Sequence, residues 1–345
     1  MTNLKMDKLK NLSHPIKCAI QLGIIGICAL PLLYYKVAGT PTHRGFFCGD
    51  QSLSYPYHSS TVPSWSLYIF GIFIPILIFV ISEYICNRKS FKIRCFQLLN
   101  MYMLGAVGSH LIVDVGKYTV GRLRPHFFDI CQPQVNGKPV SETEVCNQNN
   151  GYVLNYTCDP NMKYFKVKKI IDIILKFFVK LNLMKKCIYL FQSVEEAKSK
   201  ANKESHLSFP SGHASFSAQA ATFIVLYLQT KFINTKKNSN GVVDNSSTSL
   251  FSASIISLLA ILAAGYVSVS RIMDNKHHPT DALAGSLIGT LTQICLNLRI
   301  LLFFNQEPKP QNRSPSELMA LNKTYGSSSD QNHQGIINND EANSN

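Results

Sequence analysis

Three short segments of this chain carry residues whose types and spacing suit a phosphate ester. Ser270-Arg271-Ile272-Met273-Asp274-Asn275-Lys276-His277-His278-Pro279-Thr280-Asp281 places an arginine, a histidine and an aspartate where one hydrophobic stretch meets another. A guanidinium can fork onto two phosphate oxygens, an imidazole can attack phosphorus, and a carboxylate can orient that imidazole. Such a set suits phosphoryl transfer without a metal. Lys117-Tyr118-Thr119-Val120-Gly121-Arg122-Leu123-Arg124-Pro125 ends a second hydrophobic stretch, and Phe209-Pro210-Ser211-Gly212-His213 opens a third.

The spacing inside each segment says what it can do. Lys117 and Arg124 are about two helical turns apart, so on a continuous helix they share a face. Pro125 disfavours helical geometry at Arg124, so the guanidinium projects from the helix end and forms a phosphate clamp with the lysine as a point charge. Gly212 lets an anion approach backbone N–H groups at a helix start, and Ser211 adds a hydroxyl donor next to His213, an acid. Pro279 is a natural first helical residue, which puts His277 just before that helix and Asp281 in its first turn. From there the carboxylate reaches back, as a capping-box acid does. It holds one ring nitrogen of His277 and leaves the other free to attack phosphorus. Arg122 fits neither position of its segment and reads as an interface residue.

The elements that position these residues are hydrophobic helices. A spanning helix needs roughly 20 mostly apolar residues. Six stretches qualify, at about 16–35, 64–86, 97–116, 213–231, 250–270 and 281–304. The expected fold is therefore an all-α integral membrane protein with six transmembrane helices. Lysines and arginines in the short loops set its orientation: the N-terminal arm and the Arg88, Lys89, Lys92, Arg94 cluster are basic and read as cytoplasmic. Both termini then lie inside, and all three segments meet at the outer or lumenal face. The formal net charge of +14 needs no nucleic acid, because cytoplasmic loops and phosphate ligands account for it.

The chain divides into a cytoplasmic arm (1–15), a membrane domain (16–305) and a tail (306–345) rich in Asn, Ser, Asp and Gly that is expected to be disordered. Within the long outer loop, the stretch at 163–190 is basic and apolar. Lys169, Asp172, Lys176 and Lys180 form one polar stripe, and ionic residues near a bilayer centre cost roughly 2.5–3.5 kcal/mol each, so it reads as an interfacial helix. A span there would also put Lys117 and His213 on opposite sides of the membrane. Cys48, Cys131, Cys146, Cys158 and Cys187 fall in outer segments, where disulfides persist. One disulfide is expected among Cys131, Cys146 and Cys158, with the pairing open. No metal-site spacing occurs in the sequence.

Written as Lys-x6-Arg-Pro, Pro-Ser-Gly-His and Ser-Arg-x5-His-x3-Asp, the three segments resemble the signature of the type 2 phosphatidic acid phosphatase superfamily, specifically its animal lipid phosphate phosphatases. Arg44-Gly45-Phe46-Phe47-Cys48-Gly49-Asp50-Gln51-Ser52-Leu53-Ser54-Tyr55-Pro56-Tyr57 and Arg124-Pro125-His126-Phe127-Phe128-Asp129 are similar to those proteins as well. The resemblance implies that His277 is a nucleophile forming a phosphohistidine, with Asp281 orienting it. It implies that His213 protonates the leaving alkoxide and then activates water. Lys117, Arg124, Ser211, Gly212 and Arg271 become the phosphate-binding set, and His278 stands outside the motif. The two imidazoles must start in opposite states, His277 neutral and His213 charged.

The implied activity is dephosphorylation of phosphatidate, lysophosphatidate, sphingosine 1-phosphate or ceramide 1-phosphate with no cofactor and no magnesium, at the plasma membrane or a lumenal leaflet. A lipid diphosphate substrate and a non-catalytic lipid-binding role are the alternatives, and a homo-oligomer stays open. Two departures stand out: Pro279-Thr280 where many animal members carry Trp-Ser, and 163–190, which is either an insert or a retained intron in the gene model. Of the sequons at Asn11, Asn155, Asn245, Asn312 and Asn322, only Asn155 lies on the expected outer side. Expression in a glycosylating cell should give a deglycosidase-sensitive band that Asn155→Gln abolishes. Sugar on Asn245 instead would reverse the orientation.

Overall fold

The computed structural model describes residues 14–86, 88–142, 144–147, 149–158, 202–234 and 247–304. The basic stretch at 163–190, the tail from 306, most of the N-terminal arm, Cys187 and the sequons at Asn11, Asn245, Asn312 and Asn322 lie outside the described residues. The chain forms two units, Met1–Arg299 and Ile300–Asn345, and the packing and the site below belong to the first.

The long helices are α1 (His14–Val37), α2 (Ser64–Cys86), α3 (Phe91–Val120), α5 (Gly212–Asn234), α6 (Ser247–Met273) and α7 (Pro279–Phe304). They correspond to the six hydrophobic stretches, and α3 outruns its apolar segment at both ends. Among the described residues, four helical segments are long and apolar enough to cross a membrane: Cys18–Val37, Ser64–Ile85, Arg88–Val120 and Leu250–Met273. Helices suit that role because they satisfy every backbone hydrogen bond internally. Pro31 and Pro75 sit inside α1 and α2, as proline in membrane helices often does.

The other two long helices, α5 and α7, carry small and polar residues on the faces that meet each other. Between Ala214 and Leu228, α5 buries residues on every face, and many are small or polar: Ala214, Ser215, Ser217, Ala218, Gln219, Ala220 and Ala221. Small residues let helix backbones approach closely, which is how helices associate where lipid removes the hydrophobic drive. A Cβ on Gly285 or Gly289 of α7 would overlap the backbone carbonyl of Ser211, just ahead of α5, or of Ser215 within it. Gln219 donates to Gln293 Oε1 at 2.7 Å, tying the same two helices. The opposite face of α7 presents Leu283, Leu287 and Leu291 outward. Phe79 of α2 and Leu98 and Tyr102 of α3 pack on Ala220 and Phe223, while Ala253 of α6 packs on Ile224 and Leu228.

A second, smaller core holds the loops at the C-terminal end of α3. Strand β1 (Phe46–Phe47) pairs antiparallel with β4 (Tyr152–Val153). Strand β2 (Pro133–Val135) lies between β3 (Lys138–Pro139) and β5 (Thr157–Cys158). With the short helix α4 (Phe127–Cys131), these strands bury Phe46, Leu53, Leu123, Phe127, Val140, Val153 and Tyr156. Disulfides join Cys48 to Cys146 and Cys131 to Cys158. The second lies within the cysteine trio, while the first recruits Cys48 from a distant loop. Gly289→Leu should lower the thermal midpoint of the detergent-solubilised protein by the equivalent of about 1–3 kcal/mol. Leu287→Ala, on the exposed face, should stay within about 0.5 kcal/mol of the parent.

Candidate phosphate site

Helix α3 stops where Gly121 turns left-handed at φ 58°, its N–H bonding Lys117 O at 3.0 Å. A Cβ there would collide with the Thr42 carbonyl, so glycine is needed for conformation and contact alike. The chain then runs extended through Arg122–Arg124 alongside 205–208. Arg124 N donates to Ser205 O at 2.9 Å, and Ser208 N donates to Arg122 O at 2.9 Å. This ladder brings the first segment against the second. Gly116 packs on Pro210, and a Cβ on Gly212 would lie 3.3 Å from Nζ of Lys117. Glycine at 212 therefore lets the ammonium sit at the start of α5. Ser211 caps that helix with its hydroxyl 3.5 Å from Ala214 N.

Asp281 joins the third segment to the other two. Its carboxylate accepts from Arg122 Nη1 at 2.6 Å, Ser208 Oγ at 2.6 Å and His278 N at 3.0 Å, with His278 Nδ1 at 3.2 Å. Its own carbonyl accepts from Ser211 N at 3.0 Å. The backbone bond to His278 is the capping-box contact expected of an acid in the first turn after Pro279. Direct hold on His277 does not occur: Nδ1 of His277 is 4.0 Å from Asp281 Oδ2 and instead meets the carbonyl of Ser208 at 2.6 Å. The carboxylate is drawn to the His278 amide and Arg122, so it reaches His277 only through Ser208.

The Ser208 contact has a chemical consequence. A carbonyl only accepts, so Nδ1 of His277 carries the proton and Nε2 keeps its lone pair. Burial, followed by the charges of Arg124 and Lys117, holds this imidazole well below the usual histidine pKa, so it is neutral near pH 7. The ring of His213 is hydrogen-bonded to the Val62 backbone, and its Nε2 is buried with no partner among the described residues. Arg124 Nε is in the same condition. Arg271 is almost fully buried, its Nη2 2.6 Å from Asp274 Oδ2 and its Nη1 3.3 Å from Ser60 Oγ. Asp274 also accepts from the N–H and hydroxyl of Thr61, at 2.9 Å and 2.6 Å. The loop ahead of α2 thus backs the arginine.

The three segments singled out in the sequence therefore meet in one place: Lys117, Arg124, Ser211, Gly212, His213, Arg271, His277 and Asp281 share contacts or fields. Asn155 lies apart from them, in the turn between β4 and β5. Arg122, read from spacing as an interface residue, is the ion-pair partner of Asp281. Ser208, Asp274, His278 and the 60–62 loop were also missed. His278 and Asp274 left local signals, each three residues from its charged partner, Asp281 and Arg271. Ser208 and the 60–62 loop act by approach between distant segments, which no spacing records.

Long apolar helices whose ends converge on buried cations and two histidines suit a membrane protein. The PAP2 superfamily model matches residues 95–301, and the chain belongs to that superfamily. It is similar to a Drosophila melanogaster protein named "Putative phosphatidate phosphatase", at 31% identity over 89% of this chain and 77% of the relative. Phospholipid phosphatase 1 of Rattus norvegicus is 27% identical over 86% of this chain and 89% of its own length, and phospholipid phosphatase 2 of Mus musculus is 25% identical over 83% and 86%. No solved structure gives a significant match. Because Arg122 acts on His277 only through Asp281 and Ser208, Arg122→Leu should lower kcat on the order of a hundredfold with KM little changed. Arg122→Lys should recover part of that loss, and an unchanged kcat in Arg122→Leu would remove it from the positioning chain.

Proposed function

We propose that this protein dephosphorylates lipid phosphate monoesters, with phosphatidate, lysophosphatidate, sphingosine 1-phosphate and ceramide 1-phosphate as the substrate class, through a phosphohistidine on His277. The observation that carries this reading is the His277 ring: buried, neutral, with its Nδ1 proton held by Ser208 and its Nε2 lone pair free for phosphorus. The printed names of the relatives, phosphatidate and phospholipid phosphatases, point to the same substrate class.

In the first half-reaction, Nε2 of His277 forms a bond to phosphorus as the bond to the lipid alkoxide breaks, and His213 gives that oxygen a proton. In the second, His213 takes a proton from water, whose oxygen displaces His277 and releases inorganic phosphate. Lys117, Arg124 and Arg271, with the Gly212 amide and the Ser211 hydroxyl, hold the non-bridging oxygens. These cations supply the charge neutralisation that a metal would otherwise bring, so no magnesium is required. They also surround His213, so its proton depends on the two negative charges of the substrate offsetting theirs. Ser208 and Asp281 keep His277 in one tautomer and one orientation.

The reading includes a six-span topology, with α5 and α7 crossing inside the bundle where small and polar residues face protein. Both termini are then cytoplasmic, and the site and Asn155 lie on the extracellular or lumenal face, most simply at the plasma membrane. Acyl chains reach such a site sideways, between helices, while the headgroup meets the cations.

Purified protein should release phosphate from phosphatidate in the presence of EDTA, and His277→Ala should eliminate that release while the variant still inserts into membranes. Abolition by EDTA, or full activity in His277→Ala, would overturn the histidine mechanism.

A further inference from the structure

Lys276 is a buried lysine that the motif set does not use. It is 5% exposed, and its Nζ lies 3.3 Å from the centroid of the Tyr57 ring. It has no carboxylate within ion-pair distance among the described residues. A buried ammonium without a counter-ion is costly, and that cost falls when it deprotonates or when an anion arrives. The groups that face it come from every surrounding element: Arg124 after α3, His126 before α4, Glu204 in the turn at 202–205, Arg271 and Asp274 at the end of α6, and Tyr57 ahead of α2. Two of these, Arg124 and Arg271, belong to the phosphate-binding set.

Its mounting is specific. Asn275 adopts φ 53°, a conformation that asparagine tolerates, and its side chain donates to Pro56 O at 2.9 Å. Its carbonyl accepts from His126 Nδ1 at 2.6 Å. Tyr57 N donates to Asp129 at 2.9 Å, and the Tyr57 ring meets His126 edge-on. The ring that seats the ammonium is thus braced from two sides. The mounting holds this cation within the field of Arg124 and Arg271, and His277 follows it directly in the chain.

We propose that Lys276, seated on Tyr57, is a fourth cation of the phosphate site and binds the same tetrahedral dianion as Lys117, Arg124 and Arg271. The proposal rests on the reading of this site as a phosphate site. It adds a proton linkage. Burial, then the charge of Arg124, pushes Lys276 down to about 7, so in the empty site the ammonium loses its proton as pH rises through that value. A bound dianion restores the proton, and affinity should weaken as pH rises above about 7, by up to tenfold per pH unit.

The test uses full-length protein in detergent and tungstate, a tetrahedral dianion whose charge is constant across the range used, with the dissociation constant measured between about pH 6 and about pH 9. Wild type should bind with the stated slope. Lys276→Met should bind on the order of tenfold more weakly at the acid end and lose the slope. Lys276→Arg should keep the affinity and flatten the slope, since a guanidinium does not titrate there. Tyr57→Leu, which removes the ring that seats the ammonium, should weaken binding. Equal affinity and slope in Lys276→Met overturn the proposal. If that variant does not fold, a slope in Lys276→Arg as steep as the wild type's does the same. A wild type that binds no tungstate overturns the phosphate-site reading on which the proposal stands, which a failure confined to the Lys276 variants would not.

Discussion

A single buried carboxylate, that of Asp281, holds the three site segments in register. It is fully buried yet takes hydrogen bonds from the segment after α3, from the turn before α5 and from the N-terminus of its own helix. Desolvating a carboxylate is expensive, and charge-assisted hydrogen bonds with good geometry offset that expense. Losing any donor would leave the charge underpaired, so the arrangement has one favourable state. Its position at a helix N-terminus adds the favourable end of the helix dipole.

From that node the orientation of His277 follows without direct contact. Ser208 gives its hydroxyl to Asp281 and its carbonyl to His277, so one residue transmits the position of the carboxylate to the imidazole. A carbonyl acceptor fixes the tautomer as a carboxylate would, but without placing a full negative charge beside the ring. The imidazole therefore stays less basic, in keeping with the cations around it. The same economy recurs at Arg271, where Asp274 neutralises part of the charge and Ser60 and Thr61 anchor the pair to a different loop.

The positioning depends on two cores of different kinds. Within the bundle, α5 is surrounded by other helices, and its small and polar residues allow the close approach that puts Ser211 and Gly212 beside Lys117 and the start of α7. Beyond the helix ends, a compact aromatic cluster closed by two disulfides keeps Arg122–Pro125 extended along 205–208. The bundle determines which helix ends meet, and the small core determines how far the connecting segments can move.

Much of this was legible in the sequence. Apolar length marks α1, α2, α3 and α6, because a helix in contact with lipid must be apolar over a definable span. The segments that carry Lys117, Arg124, His213, Arg271 and His277 stand out because such residue types cluster at the ends of apolar stretches, and the fold brings those ends together. Tertiary structure alone decided the ties of Asp281 to Arg122 and Ser208, the anchoring of the Arg271–Asp274 pair by Ser60 and Thr61, and the pairing of Cys48 with Cys146. Each of these joins residues far apart in the chain, or turns on which of several nearby donors a buried charge selects. Local spacing determines what a residue can reach along its own helix, whereas burial among distant segments determines what it touches.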